Sequence, residues 1–182
     1  MKAFYSFLLF ALLAASCKKE PVNQLSLLPP ATQNGANTLG CLVNGDAFVP
    51  KNGGLFSGPP IKCQYGFSEH GYIFSIGGGS EDKYGSISSV AISTDSLSIS
   101  EGETLPLTKS FTPGMAFADY AGGNSVSVSS YTTNAYAIGQ LTITHLDSIN
   151  LIVSGTFQFN AVDKSGDTVR ITNGRFDVHY MP

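Results

Sequence analysis

Tryptophan is absent from this 182-residue chain, histidine and cysteine occur three times each, and charged residues make up only 13%. Each shortage narrows the function. Without tryptophan, any stacking on a sugar ring falls to tyrosine or phenylalanine. Lys18-Lys19 is the only run of basic residues, so the chain lacks the clustered positive face that holds phosphates, and no nucleic-acid partner is expected. No histidine or third cysteine stands at ligand spacing from Cys41 or Cys63, so neither a metal nor a cofactor is expected. The longest apolar run falls short of the ~20 residues that a membrane-spanning helix needs.

What is present begins at the N-terminus. Lys2 precedes an apolar run from Phe4 to Ala15 broken only by Tyr5 and Ser6, and Ala14, Ala15 and Ser16 lead into Cys17. This pattern predicts a secretory signal over residues 1–16. Leu13-Ala14-Ala15-Ser16-Cys17 resembles a bacterial lipobox, with Ala14 in place of the usual leucine. The resemblance implies diacylglyceryl transfer to the Cys17 thiol, cleavage before it, and a further acyl chain such as palmitate on the new amine. The alternative is an ordinary signal peptide and an unmodified cysteine. Several acyl chains would hold the protein stably, since each buried methylene contributes ~0.8 kcal/mol. Lys18 is not the aspartate associated with inner-membrane retention. The expected place is therefore the outer membrane, on its periplasmic or surface face.

Residues 17–37 contain Pro21, Pro29, Pro30 and Gly35 among many Asn and Gln, and read as the lipidated cysteine and a Pro-rich tether. Residues 38–182 suit a single domain. Leu39, Cys41 and Val43 alternate before Asn44-Gly45, which predicts a hairpin with a type I′ turn because both central residues tolerate positive φ. Short strands follow, marked by Tyr72, Phe74 and Ile76, by Val90 and Ile92, by Leu105 and Leu107, by Val126 and Val128, and by Tyr136 and Ile138. The longest alternation is Leu151, Val153, Gly155, Phe157, Phe159 and Ala161, which puts six positions on one face of a half-buried strand. Val169 and Ile171 are odd-numbered, while Phe176, Val178 and Tyr180 are even. A bulge at Asn173-Gly174 accounts for the change of phase. The fold class is all-β, an antiparallel β-sandwich or alternatively a small closed barrel of lipocalin-like type with a ligand cavity.

The segments Leu28-Pro29-Pro30-Ala31-Thr32-Gln33 and Asn37 to Gly45 resemble the opening of an uncharacterised Bacteroidota lipoprotein family, an exported domain of unknown function. Leu141 to Thr144 with Asp147, Val153 to Phe159, and Ile171 to Val178 resemble its closing segments. The resemblance implies a small exported all-β domain and no known activity. It also implies that the segment near Leu28 belongs to the domain, which shortens the tether.

Candidate chemistry is sparse. Cys41 and Cys63 can form a disulfide, worth ~3 kcal/mol for a loop of this size, or stay as two buried thiols. Arg175, Asp177 and His179 alternate with the apolar positions of the last strand. An Asp that orients a His is half of a catalytic triad, and a polar solvent-facing strand gives the same pattern. Asp163, Ser165 and Asp167 begin like a calcium loop but lack its closing glutamate, so a hairpin turn is expected. Gly77-Gly78-Gly79 lacks the cation and helix start of a phosphate cradle. Asp95-Ser96-Leu97, Asp147-Ser148-Ile149 and Asp167-Thr168-Val169 resemble the acceptor motif of Bacteroidota O-glycosylation, which implies glycans on Ser96, Ser148 and Thr168. Ordinary turn chemistry produces the same triplets.

The leading expectation is therefore a non-enzymatic outer-membrane lipoprotein, a binding or accessory module with the membrane and an unidentified protein or glycan as partners. A second is capture of a glycan or a hydrophobic small ligand, with Tyr65, Tyr84, Tyr120 and Tyr131 as the aromatic candidates. A third is a hydrolase using Asp177 and His179.

Overall fold

The computed structural model describes residues 22–52, 58–109, 111–124 and 126–182, so the signal over 1–16 and the lipidation candidate Cys17 lie outside the described residues. The fold is all-β, as the alternation predicts. In chain order the strands are β1 (Thr38–Val43), β2 (Asp46–Phe48), β3 (Ile61–Ser68), β4 (Gly71–Glu81), β5 (Ser86–Asp95), β6 (Thr104–Leu107), β7 (Met115–Asn124), β8 (Val128–Thr132), β9 (Gly139–Asp147), β10 (Ile152–Val162) and β11 (Thr168–His179). They form one sheet in the order β2-β1-β11-β10-β9-β6-β7-β5-β4-β3, with β8 pairing to β7 and β10. Every pairing between these strands is antiparallel except that of β6 with β7, which meet in parallel at Leu107 and Ala116, and Gln64 of β3 adds an isolated parallel bridge to Met181. Backbone hydrogen bonds tie the two margins together. Lys51 N–H donates to the Gly79 carbonyl at 3.2 Å, Tyr65 N–H to Met181 at 2.9 Å, and Met181 N–H to Cys63 at 3.0 Å.

Local chemistry explains the turns. Asn44 and Gly45 have φ of 51° and 97°, the left-handed pair that the β1–β2 turn requires. Asn173 has φ 53°, and the pairing of β10 with β11 shifts between Phe157 and Phe159. The predicted bulge is thus present, and Phe176 returns to the interior. Val126, Tyr136 and Ile138 depart from expectation, because they stand in exposed turns outside any strand. Asn124 Oδ1 accepts from the amides of Val126 and Ser127, and Asn134 Oδ1 accepts from those of Tyr136 and Ala137. Such local bonds satisfy the backbone without a strand partner.

The interior holds one apolar cluster. A ladder of rings runs through it from Phe159 to Phe157, Phe176 and Phe74, at centroid separations between 6.2 and 6.4 Å. Phe176 fits because Gly155 has no side chain: a Cβ there would lie 2.6 Å from the ring.

Residues 24–37 are not a free tether, as the 17–37 assignment expected, but an arm laid on the sheet. Gln24, in a turn of 3-10 helix over Gln24–Leu27, accepts from the Ala47 amide at 2.9 Å; Leu28 is buried; Gln33 donates to the Thr144 carbonyl at 3.0 Å. The resemblance drawn on Leu28 to Gln33 implied this shorter tether.

The strand register defines two ends. At the first, Gln24 meets Ala47, Asn44 N–H donates to the Arg170 carbonyl, and Ser86 pairs with Asn124, which gathers the β1–β2, β4–β5, β7–β8 and β10–β11 turns. This is where the described chain emerges at Val22. At the second, the β3–β4 turn, Leu97, the β9–β10 turn and Tyr180 come together, with Leu97 N–H on the Tyr72 carbonyl and Tyr180 N–H on that of Leu151, each at 2.9 Å.

Candidate functional site

At the second end the ring ladder leaves the core. Cys63, Tyr65 and Phe67 share a face of β3, and Tyr65 pairs with Phe74, Phe67 with Tyr72, across to β4. Tyr65 stands edge-on to Phe74 at 6.4 Å and to Tyr180 at 5.7 Å, stacks on Tyr72 at 5.9 Å, and Tyr72 meets Phe67 edge-on at 5.2 Å. The Tyr65 hydroxyl donates to the Ile99 carbonyl at 3.2 Å, which fixes the inner ring. The outer rings are open to solvent, Phe67 at 74% and Tyr72 at 45% exposure. Aromatic surface supported from behind by a packed core loses little side-chain freedom when it binds. Polar groups lie near the rings: His70 and Glu69 in the β3–β4 turn, between Phe67 and Tyr72 in sequence, are exposed, and Asp147, which caps the β9–β10 turn, is close enough to Tyr180 to raise its pKa. The Asn150 amide and side chain and the Ile149 amide hold the Asp147 carboxyl below the usual carboxylate range, so it is ionised at neutral pH.

The structure distributes the sequence candidates unevenly. Of the four tyrosines, only Tyr65 belongs to this surface. Tyr84 lies in the β4–β5 turn at the other end, with Lys83 Nζ 4.9 Å from its ring, and Tyr120 and Tyr131 face each other at 5.9 Å, half-buried against the core. Phe67 and Tyr72, which carry the exposed area, are not among those four candidates. Their signal was available, since they flank the Ser68-Glu69-His70-Gly71 turn symmetrically and a tight hairpin pairs such neighbours.

Asp177 is not on a solvent face. It is 1% exposed, and its carboxylate accepts from Thr32 Oγ1 at 2.7 Å, Ser154 Oγ at 2.9 Å, and the amides of Gly35 at 2.8 Å and of Asn34 and Ala36 at 3.1 Å. Burial pushes its pKa up, but the bonds from Thr32 and the amides of Ala36, Asn34 and Gly35 outweigh it and bring the value down to about 2. No hydrogen bond joins it to His179 among the described residues. The His179 ring lies on the bare Cα of Gly35, whose φ of +73° disfavours any side chain, and the His179 amide donates to Asn37 Oδ1 at 3.1 Å. Asp177 is thus the peg on which the arm hangs. His145 likewise has a structural partner, with Nδ1 3.0 Å from Glu101.

Cys41 and Cys63 are free thiols on strands that are not neighbours in the sheet, so the disulfide weighed from the sequence is not formed here. Burial pushes both pKa values up to about 12. Neither reacts as a thiolate near neutral pH. A maleimide reagent at pH 8 is expected to leave both unmodified in the native protein and to label both in denaturant; labelling of the folded chain would contradict their burial. The remaining motifs are turns or strand. Asp163 Oδ1 accepts from the amides of Ser165 and Asp167 in the expected hairpin turn, and Gly77 to Gly79 are extended within β4. Ser148 and Thr168 are exposed, while Ser96 is half-buried with its hydroxyl 3.0 Å from Asp95. Among the described residues no three His, Cys, Asp or Glu gather to hold a metal ion.

A family model described as a domain of unknown function (DUF6252) matches residues 68–178. The matched stretch contains the closing segments that carried the sequence resemblance, while those from Leu28 to Gly45 precede it. No curated protein and no solved structure matches the chain.

Proposed function

The chain belongs to the DUF6252 family, whose description assigns no activity, and we propose that it is a non-enzymatic binding module, lipid-anchored through Cys17 in the outer membrane of a Bacteroidota cell. One observation carries the binding reading. The exposed rings of Phe67 and Tyr72 stand at the end of the fold opposite Val22, the side from which a lipid tether would arrive. An anchored domain of this build presents its aromatic end outward. Lipobox residues Leu13 to Cys17 support the anchor, and the polar triplets at Ser96, Ser148 and Thr168 support surface glycosylation. The mass of the denatured native chain tests both: loss of residues 1–16 with acyl mass on Cys17 is expected, and a bare cysteine would remove the anchor.

Capture of a glycan is the second reading, favoured by rings with His70, Glu69 and ionised Asp147 nearby. Ring faces hold the apolar side of a sugar while the rim bonds its hydroxyls. With no tryptophan in the chain, its emission comes from tyrosine, and Tyr65 and Tyr72 are the tyrosines at this surface whose contribution a bound ligand would change. Titration with soluble polysaccharide from the same envelope is expected to change that emission saturably. Phe67→Ala should weaken binding about ten-fold, the loss of one aromatic contact of ~1.5 kcal/mol, with little change in thermal stability because the ring is exposed. Equal affinity in the variant would overturn the assignment. The hydrolase reading draws no support from Asp177, whose described hydrogen bonds all go to the arm and Ser154.

A further inference from the structure

The end from which the chain emerges carries apolar side chains that nothing in the fold requires. Leu25 and Leu27 in the arm are 46% and 52% exposed, and the tips of three turns bear Tyr84, Val126 and Tyr136 at 78%, 94% and 96%. These come from distant parts of the sequence yet meet at one end. Leu27 shares a recess with Asp82 and Ser86, which flank the turn of Tyr84. Ser86 pairs with Asn124, which opens the turn of Val126. Tyr136 shares a recess with Asn44 and Arg170, beside the β1–β2 turn where Gln24 is bound.

We propose that this end rests on the lipid bilayer, with Leu27, Val126 and the two tyrosines at headgroup depth. The inference rests on the reading of Cys17 as the lipid anchor. Chain length favours it: only four residues, Lys18 to Pro21, lie between Cys17 and Val22, and the five Cα steps across them reach at most ~17 Å even when extended. The domain cannot stand far from the surface that holds the anchor. Side-chain chemistry favours lipid over protein or nucleic acid. The tips pair apolar bodies with tyrosine hydroxyls, the combination that settles at the membrane interface. Lys83, Lys164 and Arg170 stand among Asp46, Asp82, Asp163 and Asp167, so the face has no positive excess and its attraction does not depend on anionic lipid. From Pro21 to Gly45 the chain carries no charge at all. The arm can therefore approach the headgroups without desolvating an ion. Docking fixes the tilt of the domain and points Phe67 and Tyr72 away from the membrane.

The test uses full-length protein purified with its native lipid and reconstituted in phosphatidylcholine vesicles. Leu27→Cys, Val126→Cys and Phe67→Cys are labelled with a fluorophore, the buried thiols of Cys41 and Cys63 remaining unlabelled, and quenched by nitroxide lipid at headgroup depth. Labels at 27 and 126 should be quenched at least two-fold more than the label at 67, unchanged by added salt. Vesicle-bound protein with equal quenching at all three positions overturns docking while leaving the anchor intact. Protein that does not float with vesicles and shows a bare Cys17 by mass overturns the anchor, and docking with it.

Discussion

Asp177→Ala is expected to destabilise the domain by about 3–5 kcal/mol and to release residues 24–37 from the sheet. The variant strands two hydroxyls and three amides, the Ser154 hydroxyl and Gly35 amide buried and the others half-buried, and removing one partner of such a charged network leaves the others poorly solvated. Denaturant titration reads the energy, and hydrogen exchange of Asn34 to Ala36 reads the arm. Asp177→Asn keeps the shape but loses the charge, so a smaller loss of ~2 kcal/mol is expected. The sign with pH follows from the titration. The folded pKa of about 2 lies below the ordinary aspartate value of 3.8, so the contribution is complete above the unfolded pKa and is lost as pH falls through the folded one. Its size is about 2 kcal/mol for a shift of this extent. Wild type should therefore lose that stability between roughly pH 4 and pH 2, and Asp177→Asn should not show this limb.

Phe176→Ala is the second large effect, expected at about 3–5 kcal/mol and a fall in Tm of about 10 °C or more. The ring joins Phe74 to Phe157 in the centre of the ladder, so its loss leaves a cavity between strands that cannot collapse independently. Gly155→Ala tests the same contact from the other side. Its Cβ would stand 2.6 Å from the Phe176 ring and 2.6 Å from the Thr142 carbonyl, and overpacking of this kind costs ~1–3 kcal/mol. Phe176→Leu should relieve only part of that cost, because the carbonyl does not move with the ring. Full rescue would show the backbone approach to be unimportant.

Much of the sheet was legible because it is written in local pattern. The period of two from Leu151 to Ala161, the phase change at Asn173-Gly174 and the Asn44-Gly45 turn each depend on neighbours in sequence, and each is present. Contacts over long separations were not legible. Asp177 reads as an outward residue by alternation, and only the arm, more than 140 positions away, converts that face into an interior. The tether boundary failed for the same reason. Proline and asparagine in residues 24–37 signal irregular backbone, and irregular backbone can still be packed. Hydrophobicity points Tyr136 and Val126 to buried strands, whereas side chains of Asn134 and Asn124 close local turns there. The aromatic end was half visible: the sequence offered Tyr65, but register was needed to set Phe67 beside Tyr72.

The most direct test of an outward-facing binding module is the native mass of the protein extracted gently from its own outer membrane, compared with the mass of the same chain after denaturation. A discrete noncovalent companion is predicted on the wild type and is expected to be lost from Phe67→Ala, with a small molecule indicating capture and a protein indicating an accessory subunit. A wild-type chain of equal native and denatured mass, or a companion that survives Phe67→Ala, would contradict the assignment of binding to the aromatic end.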